Sequence, residues 1–228
     1  MINGTEDSPV SMYISAHFPG TISDASSGLS VRITSSPSGS TFSRGSYNGE
    51  FWTLTSTEFG SVDLFLPSDL SGEFEISAEA LSEDLSSRRV GTVQFSVQPV
   101  VDTPFINVVQ HDNCIESDTG RFTFTLASFL VDNDGSEVLT VIVSGMPNGT
   151  RLSVGQANEQ GDFIIRSVEQ LTMISADIPY SDDDITVTVT VVAIATESLT
   201  NSMSSTNATI SISKCVEGRP EHTNSQLM

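Results

Sequence analysis

Basic residues are almost missing from this chain. Of its 228 residues 9 are Lys or Arg against 29 Asp or Glu, a formal net charge of −20, and Lys214 is the single lysine. Nucleic-acid binding needs a basic stripe that displaces counterions from phosphate, so the composition excludes a nucleic-acid partner. Docking on an anionic membrane surface is disfavoured on the same ground. A charge of this size is either solvated or partly neutralised by divalent cations. Long apolar runs are missing as well. No stretch approaches the ~20 residues that cross a bilayer, which predicts no membrane insertion. The first ten residues lack the basic and apolar regions of a secretory signal. A secreted form is therefore expected to be a mature or excised piece of a longer precursor.

The raw material for catalysis is thin. The three histidines, His17, His111 and His222, sit in no motif that joins a nucleophile, a base and an orienting acid. The phosphate cradle Gly-x-x-x-x-Gly-Lys-Ser/Thr is absent. No Cys-x-x-Cys pair exists for zinc or redox work, because the two cysteines, Cys114 and Cys215, lie about a domain length apart. In an oxidising compartment a bond between them would close a loop worth about 4–5 kcal/mol in the chain-entropy model. In a reducing one they would be two buried thiols. The expectation is a protein that is not an enzyme.

What the chain does have is Ser, Thr and a period of two. In Ile185-Thr186-Val187-Thr188-Val189-Thr190-Val191 every second side chain is aliphatic, the pattern of a strand with one dry and one wet face. Phe122-Thr123-Phe124-Thr125-Leu126 and Ala208-Thr209-Ile210-Ser211-Ile212 follow it, as do Leu29-Ser30-Val31-Arg32-Ile33, Phe74-Glu75-Ile76-Ser77-Ala78 and Val93-Gln94-Phe95-Ser96-Val97. Gly, Pro, Asn, Asp and Ser punctuate them, and no long helical period appears. The predicted class is all-β, of sandwich type.

The pattern is written twice. Ser36-Pro37-Ser38-Gly39-Ser40 falls opposite Met146-Pro147-Asn148-Gly149-Thr150, and Trp52-Thr53-Leu54 opposite Phe163-Ile164-Ile165. Ser56-Thr57-Glu58-Phe59 falls opposite Ser167-Val168-Glu169-Gln170-Leu171. The offset is roughly 110 residues, one sandwich domain. Pro99 and Pro104 stiffen the junction. Two immunoglobulin-like modules are predicted, 1–101 and 102–215, followed by a tail or linker, 216–228.

Gly4-Thr5-Glu6-Asp7-Ser8-Pro9, the run Val131-Asp132-Asn133-Asp134-Gly135-Ser136-Glu137-Val138-Leu139, and Val143-Ser144-Gly145-Met146-Pro147-Asn148-Gly149 resemble the cadherin-like, VCBS-type repeats of large RTX adhesins. Trp52-Thr53-Leu54-Thr55, Val101-Asp102-Thr103-Pro104 and Ala193-Ile194-Ala195-Thr196-Glu197 extend the similarity from residue 4 to about 213. The resemblance implies stacked immunoglobulin-type sandwiches in an extracellular or cell-surface stalk, often rigidified by calcium, with neighbouring repeats as partners. The first module departs from it: Ser23-Asp24-Ala25-Ser26-Ser27-Gly28 keeps one carboxylate where the acidic loop belongs. A Cys114–Cys215 bond would be unusual for the bacterial repeats and points to a eukaryotic or otherwise oxidising setting.

Calcium takes six to eight oxygens, and the loop holding Asp132, Asp134, Ser136 and Glu137 offers several around a glycine turn. Without a cation, Asp132 and Asp134 would form an Asx-rich hairpin turn. Glu6, Asp7 and Asp102 are acids at the module edges that would add to a structural cation site or stay solvated, and Asp182-Asp183-Asp184 is a further acidic run. Asn3, Asn148 and Asn207 head Asn-x-Ser/Thr sequons, acceptors for glycosylation in a eukaryotic source. Tyr47, Phe51 and Trp52 raise a carbohydrate-binding module as another class, with Trp52 as a core residue the plainer reading. A filament subunit paired through edge strands is a third. The leading expectation is a structural or adhesive segment of a larger extracellular protein, acting as a modular spacer, whose glycan or protein ligand is unknown.

Overall fold

Period-two segments separated by turn residues can bury their apolar faces only against other sheets. The computed structural model describes residues 1–17, 28–82, 88–132, 135–166, 172–179 and 185–215. The chain divides into two units, Met1–Val100 and Val101–Met228.

The first unit carries β1 (Ile2–Thr5), β2 (Val10–Ile14), β3 (Ser30–Ser35), β4 (Thr41–Phe42), β5 (Ser46–Tyr47), β6 (Trp52–Thr55), β7 (Gly60–Phe65), β8 (Gly72–Leu81) and β9 (Arg88–Gln98). One sheet runs β1-β9-β8-β3-β6-β5 and the other β2-β7-β4. Alternate residues of facing strands, among them Val10, Ile33, Leu54, Val62, Leu64 and Phe95, fill the space between. Ser56–Glu58 forms a single 3₁₀ turn between β6 and β7.

The second unit carries β10 (Phe105–Gln110), β11 (Arg121–Phe129), β12 (Glu137–Ser144), β13 (Arg151–Leu152), β14 (Gln156–Ala157), β15 (Phe163–Ile165), β16 (Thr172–Asp177), β17 (Thr186–Glu197) and β18 (Met203–Ser213). Its sheets run β14-β15-β12-β17-β18 and β10-β11-β16-β13. Phe122, Phe124 and Leu126 of β11 and Val187, Val189 and Val191 of β17 point into its core. On the outer face Thr186 meets Ser213 at 2.8 Å and Thr188 meets Ser211 at 3.1 Å. These cross-strand hydroxyl pairs are why Thr alternates with Val along β17.

Among the described residues, eight of the nine strands of each unit recur in one order. β5-β6-β3-β8-β9 corresponds to β14-β15-β12-β17-β18, and β2-β7-β4 to β11-β16-β13. These are two tandem immunoglobulin-like β-sandwiches. The first strand alone is placed differently. β1 lies parallel to β9, with Ile2 opposite Phe95, whereas β10 lies antiparallel to β11, with Phe105 opposite Phe129.

In the second unit the two cysteines, Cys114 and Cys215, are bonded, with S–S 1.96 Å and Cα–Cα 5.0 Å across a separation of 101 residues. Beside the bond Ile115 donates to Ser213 O at 2.9 Å and Cys215 N donates to Ile115 O at 3.0 Å. β11 and β12, which flank the acidic run, belong to different sheets.

Candidate functional site

The inward register of β12 and β17 carries two acids to one end of the second sandwich. Counting by twos outward from Val143 and Val141 in β12 arrives at Glu137. The same count along β17 from Val187 arrives at Glu197. The two sit directly opposite each other in the ladder. Both are buried, Glu197 at 0% exposure and Glu137 at 7%. Like charges facing each other across a sheet repel, and burial multiplies the cost.

Each carboxylate is half satisfied. Glu137 Oε1 accepts from Asp102 N at 2.6 Å, and Glu197 Oε1 accepts from Leu199 N at 3.0 Å. The second oxygen of each, Oε2, is buried with no hydrogen-bond partner among the described residues. Asp132 is buried beside them, and Asp102 stands half-buried at the start of the unit. Loss of water pushes the Glu137 carboxyl above its ordinary range. The charges of Asp132, Asp102 and Glu197 push the same way, and the bond from Asp102 N opposes them. Four carboxylates at one end, two holding an unused buried oxygen, suit a hard cation that takes several oxygens. Asp102, Asp132, Glu137 and Glu197 are the residues that would hold calcium, and the ion would cancel their mutual repulsion.

Of the loop acids named from sequence, Asp132 and Glu137 meet here together with Asp102. Ser136 precedes Glu137, and its carbonyl accepts from Ser198 N at 3.0 Å. Asp134 and Asp182-Asp183-Asp184 lie outside the described residues. Glu6 and Asp7 belong to the first unit. Glu6 is buried and its Oε2 accepts from Val100 N at 2.8 Å. Asp7 is exposed, sits at φ 55° and accepts from Asp69 N at 3.4 Å. Glu197 enters the sequence analysis only within the family resemblance. Extending the period of two in β17 to its end would have placed it inward.

The remaining candidates are scattered. The sequon residues Asn3, Asn148 and Asn207 are all exposed, on β1, in the turn before β13 and on β18. His111 bonds Thr125 Oγ1 on an exposed surface and His17 is exposed, while His222 lies outside the described residues. In the first unit Tyr47 and Trp52 face each other across the β5–β6 hairpin.

No family model matches the chain, and no curated protein matches it either. Solved structures do. One is the enterotoxigenic E. coli adhesin CfaE, at 10% identity and TM-score 0.37 over 83% of this chain and 73% of that one. Another is the D00-D0 domain of intimin, at 17% and 0.30 over 94% and 96%. An endo-fucoidan hydrolase of glycoside hydrolase family 107 matches at 13% and 0.32 over 94% of this chain, which spans about a quarter (27%) of the enzyme's length. The class defined by the strand orders is a pair of tandem immunoglobulin-like sandwiches. Fibronectin(III)-like modules and a full-length major pilin also match, and none of these likenesses singles out the cadherin-like family that the sequence resembles.

Proposed function

We propose that the chain is a non-enzymatic structural or adhesive segment of a larger extracellular protein, a modular spacer stiffened by calcium at the second sandwich. The observation that carries the calcium part is the facing pair Glu137 and Glu197, buried with one oxygen each unused. A fold that spends buried carboxylates in this way is stabilised when a cation binds the native state alone, by about 2.7 kcal/mol at a hundredfold excess over Kd. Asp102 ties the start of the unit to the same cluster through its backbone N–H, so the ion would fix the entry segment as well as the loop after β11. The Cys114–Cys215 bond fits an oxidising, extracellular setting.

The test is calorimetric titration of the whole chain with calcium chloride, joined to thermal unfolding with and without chelator. Saturable heat and a higher unfolding temperature are expected. Glu197→Gln and Glu137→Gln should each abolish the shift while raising the stability of the calcium-free protein, because each removes one of the repelling charges. No heat and no shift at millimolar calcium would remove the cation from the proposal and leave an acidic spacer.

A further inference from the structure

The two units use the same hairpin differently, and the difference exposes a ring platform in the first. Asn48 Oδ1 accepts from Glu50 N and Phe51 N, both at 3.0 Å. Asn158 Oδ1 accepts from Gln160 N at 3.0 Å and Asp162 N at 2.9 Å. An Asn side chain closes both turns, the second of which is one residue longer, and the strand pairs correspond: Tyr47 pairs with Trp52 as Ala157 pairs with Phe163. The side chains are not the same. Where the second unit has Ala157 and Asp162, the first has Tyr47 and Phe51. Phe163 sinks into the core at 7% exposure. Trp52 stays partly open, with Phe42 edge-on behind it at 5.6 Å and Tyr47 in front at 5.7 Å. Tyr47 is 57% exposed. Since the hairpin forms with Ala157 and Asp162, folding does not require the extra rings.

These rings border a cleft of about 470 Å³, within the usual range for small-ligand sites. Ile33 and Trp52 contribute apolar lining and Tyr47 an amphipathic ring, with Glu50 and the hydroxyl-rich Ser35–Thr41 segment completing it. Arg32 lies over Phe51, 3.9 Å from the ring centre, and no Lys or Arg is among the residues lining the cleft. Ser40, 9% exposed, also lines it, and its hydroxyl makes no hydrogen bond among the described residues. In the second unit the matching Thr150 hydroxyl is donated to Pro147 O at 2.7 Å. The first unit therefore leaves unused a hydroxyl that the second consumes internally.

We propose that this cleft binds an uncharged saccharide of one or two pyranose rings. A pyranose has an apolar C–H face, which suits the Trp52 and Tyr47 rings. Its hydroxyls are donors for the Glu50 carboxylate and partners for the serine-rich rim. Anionic sugars are disfavoured by Glu50 and by the chain's charge of −20. The inference goes beyond the spacer reading and is independent of the cation cluster, which belongs to the other unit.

Trp52 is the single tryptophan, so its emission reports this cleft alone. The whole chain is screened on an array of neutral and acidic glycans. Neutral oligosaccharides (maltose, cellobiose, mannobiose and lactose, with any further array hits) are then titrated while Trp52 fluorescence is read, in chelator and in calcium. A proline-rich decapeptide serves as comparison. Saturable quenching or a wavelength shift with a neutral saccharide is expected, equal in both buffers. Tyr47→Ala should weaken it at least tenfold and Glu50→Gln about threefold or more, with circular dichroism unchanged. The proposal is overturned by silence toward every neutral glycan, by response only to acidic glycans or the peptide, or by undiminished binding in Glu50→Gln and a folded Tyr47→Ala. Any of these leaves the calcium titration of the second unit unaffected.

Discussion

Glu58 shows how much one side chain can organise. Its Oε2 accepts from Thr55 N at 2.8 Å and from Thr55 Oγ1 at 2.9 Å, and its Oε1 accepts from Gly45 N at 3.2 Å. It thereby caps the 3₁₀ turn and ties that turn to the loop before β5. The backbone and hydroxyl bonds from Thr55 hold its carboxyl below the ordinary glutamate range against a smaller effect of burial. A lowered folded-state pKa means the contribution is complete above the unfolded value. It is lost as the pH falls through the folded one. Chemical denaturation across the acid range should therefore show wild type losing stability relative to Glu58→Gln below about pH 4.5. At neutral pH Glu58→Ala should cost about 1 kcal/mol. At this scale the sequence was only half legible. The facing of Glu137 and Glu197 follows from strand arithmetic, but the unused oxygens follow from which backbone N–H groups come near, and that depends on loops whose paths no periodicity encodes.

Whole elements were easier to read. Phe122-Thr123-Phe124-Thr125-Leu126 became the centre of β11 with its three large residues at 0% exposure, because strict alternation admits only one dry face. The alternating Val and Thr of β17 did likewise, yet the strand runs on to Glu197, past the point where small Ala residues replace Val and the apolar signal fades. The placement of β1 and β10 in different kinds of sheet partnership left no mark in either sequence, since both are short and their pairing is set by what lies across from them. Where β12 ends, the chain turns at Gly145 with φ 84°, and a Cβ there would come within 2.1 Å of Thr188 O in β17. Gly161, at φ 88° in the same unit, has its nearest atom at 3.8 Å. Urea unfolding of Gly145→Ala should show a loss of about 2 kcal/mol or more, from a backbone clash added to left-handed strain. Gly161→Ala should show only the strain, about 1 kcal/mol.

At the scale of the molecule, two sandwiches of one strand order carry separate cores, and the second alone holds a covalent cross-link, from the segment after β10 to the end of β18. A spacer of the kind proposed above would be a tether, and a tether is pulled. Tension that enters through β10 reaches Cys114 and leaves near Cys215, whose Cα is 5.0 Å away, so the load crosses the sulfur bridge and bypasses the strands from β11 to β18. The intervening chain, 101 residues by separation, would extend to about 330–360 Å if released, and the oxidised protein keeps that slack locked. Single-molecule stretching should record one long unfolding step in oxidising buffer, from the first sandwich. A second step should appear after reduction or in Cys114→Ser. The bridge thus makes half of this chain a fixed-length link whose yield point is chemical, set by reductant as much as by force.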